Sequence, residues 1–280
     1  MLNLASLCFP DDRKSCFYCC PPIRDPEADP LDNIEERRAR LRRNRKALQE
    51  NIARGREISG KSCWGLGFLD DEEKQAGCLL HPLRHNGRDL RYLTGYQFKC
   101  ANALCREASV FAELNPDEQN FCLNLCRGMD SFAYSSRRNP LMRLLAWETR
   151  MVRLIIDDAR ENDKPFPTTY EFLWQNLDFR LDGYLAFETA RRKDIDFLRR
   201  NLKSYIFRRN ILINELKKIA TDPACHASTD KTLIPAHRLE IPLNLSRLLK
   251  FGAGLWELPA PAAGLILNQT ERTLEKILLS

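Results

Sequence analysis

Residues 141–159 read LMRLLAWETRMVRLIIDDA, and this stretch decides the fold class. From Leu141 onward, Leu144, Leu145, Val152, Ile155, Ile156 and Ala159 follow helical spacing. A helix turns once in ~3.6 residues, so such spacing gathers one apolar stripe that has to be buried. The same period returns in Ile195, Leu198, Leu202, Ile206, Ile213, Leu216 and Ile219, and predicts one or two helices between Leu185 and Ile219. Thr168 or Thr169 can cap a shorter helix carrying Phe172, Leu173, Trp174 and Leu177. A last helix is predicted from Leu265 to Leu279, with Asn268 or Thr270 as its cap. Leu144, Leu145, Val152, Ile155, Leu198, Leu202, Ile206 and Ile213 are expected to share one core. Five prolines and three glycines fall in residues 221–264, which are expected to be extended or loop-like.

The other half of the chain reads differently. Of the 11 cysteines in the 280 residues, ten lie between Cys8 and Cys126. The expected fold is therefore mainly α. A cysteine-rich, irregular N-terminal region, residues 1–130, carries a short hairpin, and residues 131–280 form a helical bundle. Cys20-Pro21-Pro22-Ile23-Arg24-Asp25-Pro26 reads as loop. Asp32 or Asn33 can then cap a helix that runs to about Arg54, with Gly55 as its stop. Gly65, Gly67, Phe68 and Leu69 form one arm of a hairpin or knuckle, and Cys78-Leu79-Leu80 forms the other. Asp70-Asp71-Glu72-Glu73-Lys74-Gln75 connects them. Leu83 to Cys105 reads mostly as loop. Asn115 caps a helix that opens at Pro116 and reaches Arg127.

The chain is 44% hydrophobic and 29% charged, with a net charge of +6, which fits a globular chain and excludes a disordered one. No stretch approaches the ~20 apolar residues of a membrane-spanning helix. No secretory signal is legible, so a reducing cytoplasm is expected. Close-set cysteines in that compartment point to metal ligands rather than structural disulfides.

Cys16-x2-Cys19-Cys20 is the sharpest local signal, because a two-residue spacer lets two thiolates turn toward one ion. Cys78-x2-His81 repeats the spacing with an imidazole at the second place. Cys100-x4-Cys105 and Cys122-x3-Cys126 add two pairs, the last on one helix face. The candidate ligands are thus Cys16, Cys19, Cys20, Cys63, Cys78, His81, Cys100, Cys105, Cys122 and Cys126, enough for two four-ligand sites. Cys8 and Cys225 are unpaired in this pattern and are read as core or incidental. His85, His226 and His237 have no ligand-like spacing and are expected at the surface.

Cys16-x2-Cys19-Cys20, then Cys63 followed by Phe68-Leu69, an acidic turn and Gly77-Cys78-Leu79-Leu80-His81-Pro82, resembles the zinc- or iron-chelating domain family named for its CxxCxxCC motif. The resemblance covers about residues 13–105. Arg13 stands where the motif has its first cysteine, and Pro82-Leu83-Arg84-His85 lacks the cysteine expected after the proline, for which Cys100 or Cys105 can substitute. The resemblance implies metal chelation and leaves the ion open. Structural zinc is the expected cofactor, since it closes a loop-rich segment that lacks its own core. Iron or an iron–sulfur cluster, with an electron-transfer role, is the alternative.

Arg37, Arg38, Arg40, Arg42, Arg43, Arg45 and Lys46 form a basic run. A solvated helix face explains it, and a nucleic-acid-binding regulator using residues 37–46 is the rival reading. No aromatic residue interleaves with the arginines. Asp70 to Glu73 reads as a solvated turn. Gly65-x-Gly67 lacks the context of a nucleotide fingerprint. No nucleophile elbow, P-loop or zinc-protease motif is present. No catalytic residue is assigned, and the sequence leaves open whether the chain is an enzyme.

Overall fold

The computed structural model describes residues 6–11, 13–18, 20, 29–55, 63–102, 105–222 and 232–279. The fold is mainly α, with two small two-stranded sheets among the described residues. The chain divides into two compact units, Met1–Thr149 and Arg150–Ser280.

In the first unit, α1 (Ile34–Lys46) and α2 (Leu48–Arg54) replace the single helix expected over this span. The break falls at Ala47, and Gly55 ends α2 in the left-handed region at φ 56°, where a residue without Cβ is unstrained. The expected hairpin forms from β1 (Leu66–Phe68) and β2 (Ala76–Cys78), antiparallel with Leu66 opposite Cys78 and Phe68 opposite Ala76; its second arm ends at Cys78 rather than running over the expected Cys78–Leu80. Phe17, Leu41, Phe68, Ala76 and Phe132 form the core beneath it. The span 83–105 carries more structure than the expected loop: 3-10 turns at Pro82–Arg84 and Arg91–Thr94, then α3 (Gln97–Asn102). α4 (Arg106–Glu113) follows. α5 (Pro116–Asn124) opens on a full capping box, with Asn115 Oδ1 accepting from the Glu118 N–H and Glu118 Oε2 accepting from the Asn115 N–H. α6 (Ser131–Ser135) and α7 (Pro140–Leu145) complete this unit, capped by Asp130 and Asn139.

α8 (Thr149–Glu161) leads into the second unit, with Met151, Val152, Ile155, Ile156 and Ala159 buried as the period requires. α9 (Glu171–Asn176) and α10 (Phe179–Arg192) follow, and α11 (Ile195–Arg200) and α12 (Leu202–Ala220) come next. The expected single core does not form as drawn. Leu144 and Leu145 belong to the first unit. On α12 the buried stripe is Tyr205, Leu212, Leu216 and Ala220, while Leu202 and Ile213 are half-buried and Ile206 is 46% exposed. The span expected to be irregular is also more ordered. Among its described residues, β3 (Leu233–Pro235) pairs antiparallel with β4 (Glu257–Pro259), and α13 (Leu243–Arg247) lies between them. The last helix, α14 (Ala260–Leu279), starts earlier than predicted. Pro261 sits in its first turn, where a missing N–H costs nothing, and Thr270 lies mid-helix, its hydroxyl donating to the Ile266 carbonyl. α14 packs along α12.

Candidate metal centre

Two turns of the same form frame the hairpin. The Cys63 carbonyl accepts from the Leu66 N–H at 3.1 Å, and the Cys78 carbonyl accepts from the His81 N–H at 3.4 Å. In each turn a backbone N–H two residues on is directed at the cysteine sulfur: Gly65, with Leu66, at Cys63, and Leu80 at Cys78. The turns are laced together by the Leu79 N–H donating to the Gly65 carbonyl at 2.7 Å. A Cβ on Gly65 would come within 2.8 Å of Leu80 Cδ1, so glycine is what allows the two turns to close on each other. Trp64, Leu80 and Leu90, joined by Leu48, Ile52 and Leu93, form the apolar wall beside Cys78.

Cys100, on α3, is an electrostatic neighbour of both Cys63 and Cys78. Arg91 ties it down: its guanidinium grips Asp89 with Nε and Nη2, each at 2.8 Å, and donates through Nη1 to the Cys100 carbonyl at 2.7 Å. That cation also faces the Cys78 and Cys100 thiols. His81 shares the neighbourhood of Arg91 and Asp89 and packs its ring on Phe9, centroids 4.7 Å apart. Burial, and then Arg91, holds the imidazole below its ordinary value, so the neutral form that a metal takes is favoured. Burial pushes the Cys63 thiol up to about 12 and the Cys78 thiol up to about 11, so both are protonated near neutrality unless an ion takes the proton's place.

The other candidates are placed as follows. Cys105 caps α4, its sulfur accepting from the Ala108 N–H at 3.4 Å. Cys20 packs against the core of Phe17, Leu41, Phe68 and Phe132. Cys122 and Cys126 are fully buried, and the Cys126 thiol donates to the Leu123 carbonyl at 3.0 Å. Cys16 lies beside Cys8, donating its N–H to the Cys8 carbonyl at 2.9 Å. Cys19, Cys225 and His226 lie outside the described residues. Among the described residues, no three Cys, His, Asp or Glu side chains stand close enough, as placed, to hold one ion. His85, expected at the surface, is half-buried, with Nε2 at 2.8 Å from the Leu79 carbonyl.

Sequence reasoning passed over Arg91. Nothing in the spacing marks it, because its relation to the thiols is made by turns rather than by period. The basic run is largely occupied: Arg38 and Arg42 bind Glu73, Arg45 binds Asp71 and the Asp70 carbonyl, and Arg40 binds Glu36.

No family profile matches the chain, and neither the curated proteins nor the solved structures contain a match to it. Among the described residues no helix is long and apolar enough to cross a membrane.

Proposed function

We propose that this chain binds a metal ion through cysteine thiolates, with zinc in a structural role, at a centre built on Cys63, Cys78 and Cys100 with His81 beside them. The observation that carries the reading is the repeated turn, in which backbone N–H groups are aimed at the sulfurs of Cys63 and Cys78. Such donors stabilise a thiolate far more than a thiol, and a metal-bound sulfur is a thiolate. Arg91 adds a positive charge next to sulfurs that would carry negative charge, which compensates a thiolate-rich ligand set. Loading requires the neutral thiols to lose their protons and turn toward the ion. The resemblance of residues 13–105 to the CxxCxxCC family supports the same reading.

Elemental analysis and an absorption spectrum of anaerobically purified protein test it. Bound zinc in a colourless protein, lost in Cys63→Ser and Cys78→Ser, is the expected result. Absorption near ~400 nm with bound iron would replace zinc by an iron–sulfur cluster. Protein free of any metal would overturn the proposal.

A further inference from the structure

On the side of α12 away from the core, Lys203, Ile206, Phe207, Asn210, Asn214 and Lys217 are all exposed. Steps of three and four residues keep them in one row, ~21 Å long at 1.5 Å per residue. Phe207 is 68% exposed, in the half of the helix where Tyr205 beside it is buried. The helix holds five cations and one carboxylate. Three of the cations are engaged. Arg208 lies 5.9 Å from the Phe197 ring centre, Arg209 Nη1 meets Asp182 at 3.1 Å, and Lys218 meets Glu215 at 2.5 Å. Lys203 and Lys217, at the two ends of the row, have no carboxylate within ion-pair distance among the described residues.

Beside this row stands the π-helical turn Leu248–Gly252, which follows α13 and packs on α12. A Cβ on Gly252 would lie 3.2 Å from Ile213 Cδ1, so the turn comes close to the helix only because that residue is glycine. Ile213 follows Ile206 by two helical turns on the same side of α12. The turn presents Phe251 and, past Gly254 at φ 73°, Trp256. The two rings meet edge to face with centroids 5.6 Å apart, and Trp256 is 58% exposed. Leu243 of α13 and Leu265 of α14 are exposed as well.

We infer that this face of the second unit docks on an anionic lipid bilayer. α12 lies in the plane of the interface, Ile206 and Phe207 reach among the acyl chains, Phe251 and Trp256 sit at headgroup level, and Lys203 and Lys217 meet lipid phosphates. The residue types select the occupant. Lysines without carboxylate partners call for an anionic one. A nucleic-acid strand would use stacking, which needs π faces, and Ile206, Leu243 and Leu265 have none. Acyl chains take aliphatic and aromatic side chains alike, and tryptophan favours the boundary between chains and headgroups. A second copy of the chain fits poorly, because two α12 rows paired antiparallel about a two-fold axis bring Lys203 of one toward Lys217 of the other. The docking is peripheral and independent of any metal in the first unit.

The test sediments the full chain with vesicles of phosphatidylcholine alone and of phosphatidylcholine mixed in equal parts with phosphatidylglycerol, and follows tryptophan emission. Binding is expected to the anionic vesicles only, to weaken with salt, and to carry a blue shift that Trp256→Phe abolishes. Lys203→Glu combined with Lys217→Glu should weaken binding at least about tenfold. Arg88→Glu combined with Arg127→Glu makes the same change of net charge at exposed positions of the first unit and should leave binding unchanged. Phe207→Ser should weaken binding without changing its salt dependence. All these positions are exposed, so the melting temperatures should stay near that of the wild type, and the wild-type measurement needs no substitution. No binding to the anionic vesicles overturns the proposal. Equal weakening by the two double variants overturns the assignment to α12. Binding that ignores Phe207→Ser and shows no blue shift overturns contact with the acyl chains. A single-stranded oligonucleotide that binds more tightly and displaces the vesicles gives the face to nucleic acid instead.

Discussion

Arg42 holds Glu73 with both arms of its guanidinium, Nε to Oε1 and Nη2 to Oε2, each at 2.6 Å. Arg38 reaches the same carboxylate at 3.1 Å, and its guanidinium also lies 5.2 Å from the Phe68 ring centre. The basic run of α1 and the acidic turn of the hairpin are therefore partners, and α1 lies clamped along β1. The Arg42 hydrogen bonds hold the Glu73 carboxyl below its ordinary value.

Glu73→Gln removes this clamp at a half-buried surface position. Surface ion pairs contribute little, so the expected loss of Tm is at most about 2–4 °C, and it should shrink as salt is added. Thermal melts of variant and wild type at low and high salt check it. A loss that is large and independent of salt would mean that Glu73 acts through something other than its charge.

On α12, Leu216 is fully buried and Ile206 is 46% exposed. Leu216→Ala should cost about 2–5 kcal/mol, whereas Ile206→Ala should stay within about 0.5 kcal/mol. Denaturant unfolding of the two variants measures the difference. Equal costs would put the buried stripe on the wrong side of the helix.

Asp182 is 1% exposed, and burial pushes its carboxyl above the ordinary 3.8. The Asp178 N–H at 2.8 Å and Arg209 Nη1 at 3.1 Å oppose that shift without cancelling it. A raised native value means that the folded state holds the proton more tightly than the unfolded one. Stability contributed by the neutral acid is therefore lost as pH rises from 3.8 through the native value. Asp182→Asn keeps a neutral side chain at every pH. The Tm of the wild type should fall relative to that of Asp182→Asn as pH is raised through this window. A constant difference would contradict the shift.

Removal of the proposed ion should open the turns around Cys63 to Cys100 and spare the second unit. Residues 63–100 bury Trp64, Phe68, Leu69, Leu79, Leu80 and Leu90, and against the ~1–2 kcal/mol per residue of ordering entropy a thiolate-bound zinc would add an apparent ~10–16 kcal/mol. α10 and α12 bury Tyr184, Leu185, Tyr205, Leu212 and Leu216 without any candidate ligand. Hydrogen exchange with and without chelator, under reducing conditions, should show rapid exchange at residues 63–100 and unchanged protection in α10 and α12. Unchanged protection at residues 63–100 after complete metal loss would remove the structural role of the ion.

Much of the local structure was legible because its causes are local. Asn115, Pro116 and Glu118 specify a helix start by their own hydrogen-bonding groups. Gly55 specifies a stop by the φ that it tolerates. Phe68 and Cys78, separated by an acidic turn, specify a hairpin. The cysteine spacing paired Cys78 with His81 and Cys100 with Cys105, whereas the structure makes Cys100 an electrostatic neighbour of Cys63 and Cys78.

The sequence by itself determined that the chain would be mainly helical, where its hairpin would lie and which residue types could hold a metal, because period, caps and spacing act over a few residues. Tertiary structure alone decided which stripe of α12 is buried. Ile206 and Leu216 both fit a helical period, and only the packing of α14 against one side selects between stripes. It also decided that Arg42 meets Glu73, 31 residues away, and that Cys8 comes to lie beside Cys16. Those relations depend on where the chain turns back, and no spacing rule encodes the distance between groups on separate turns.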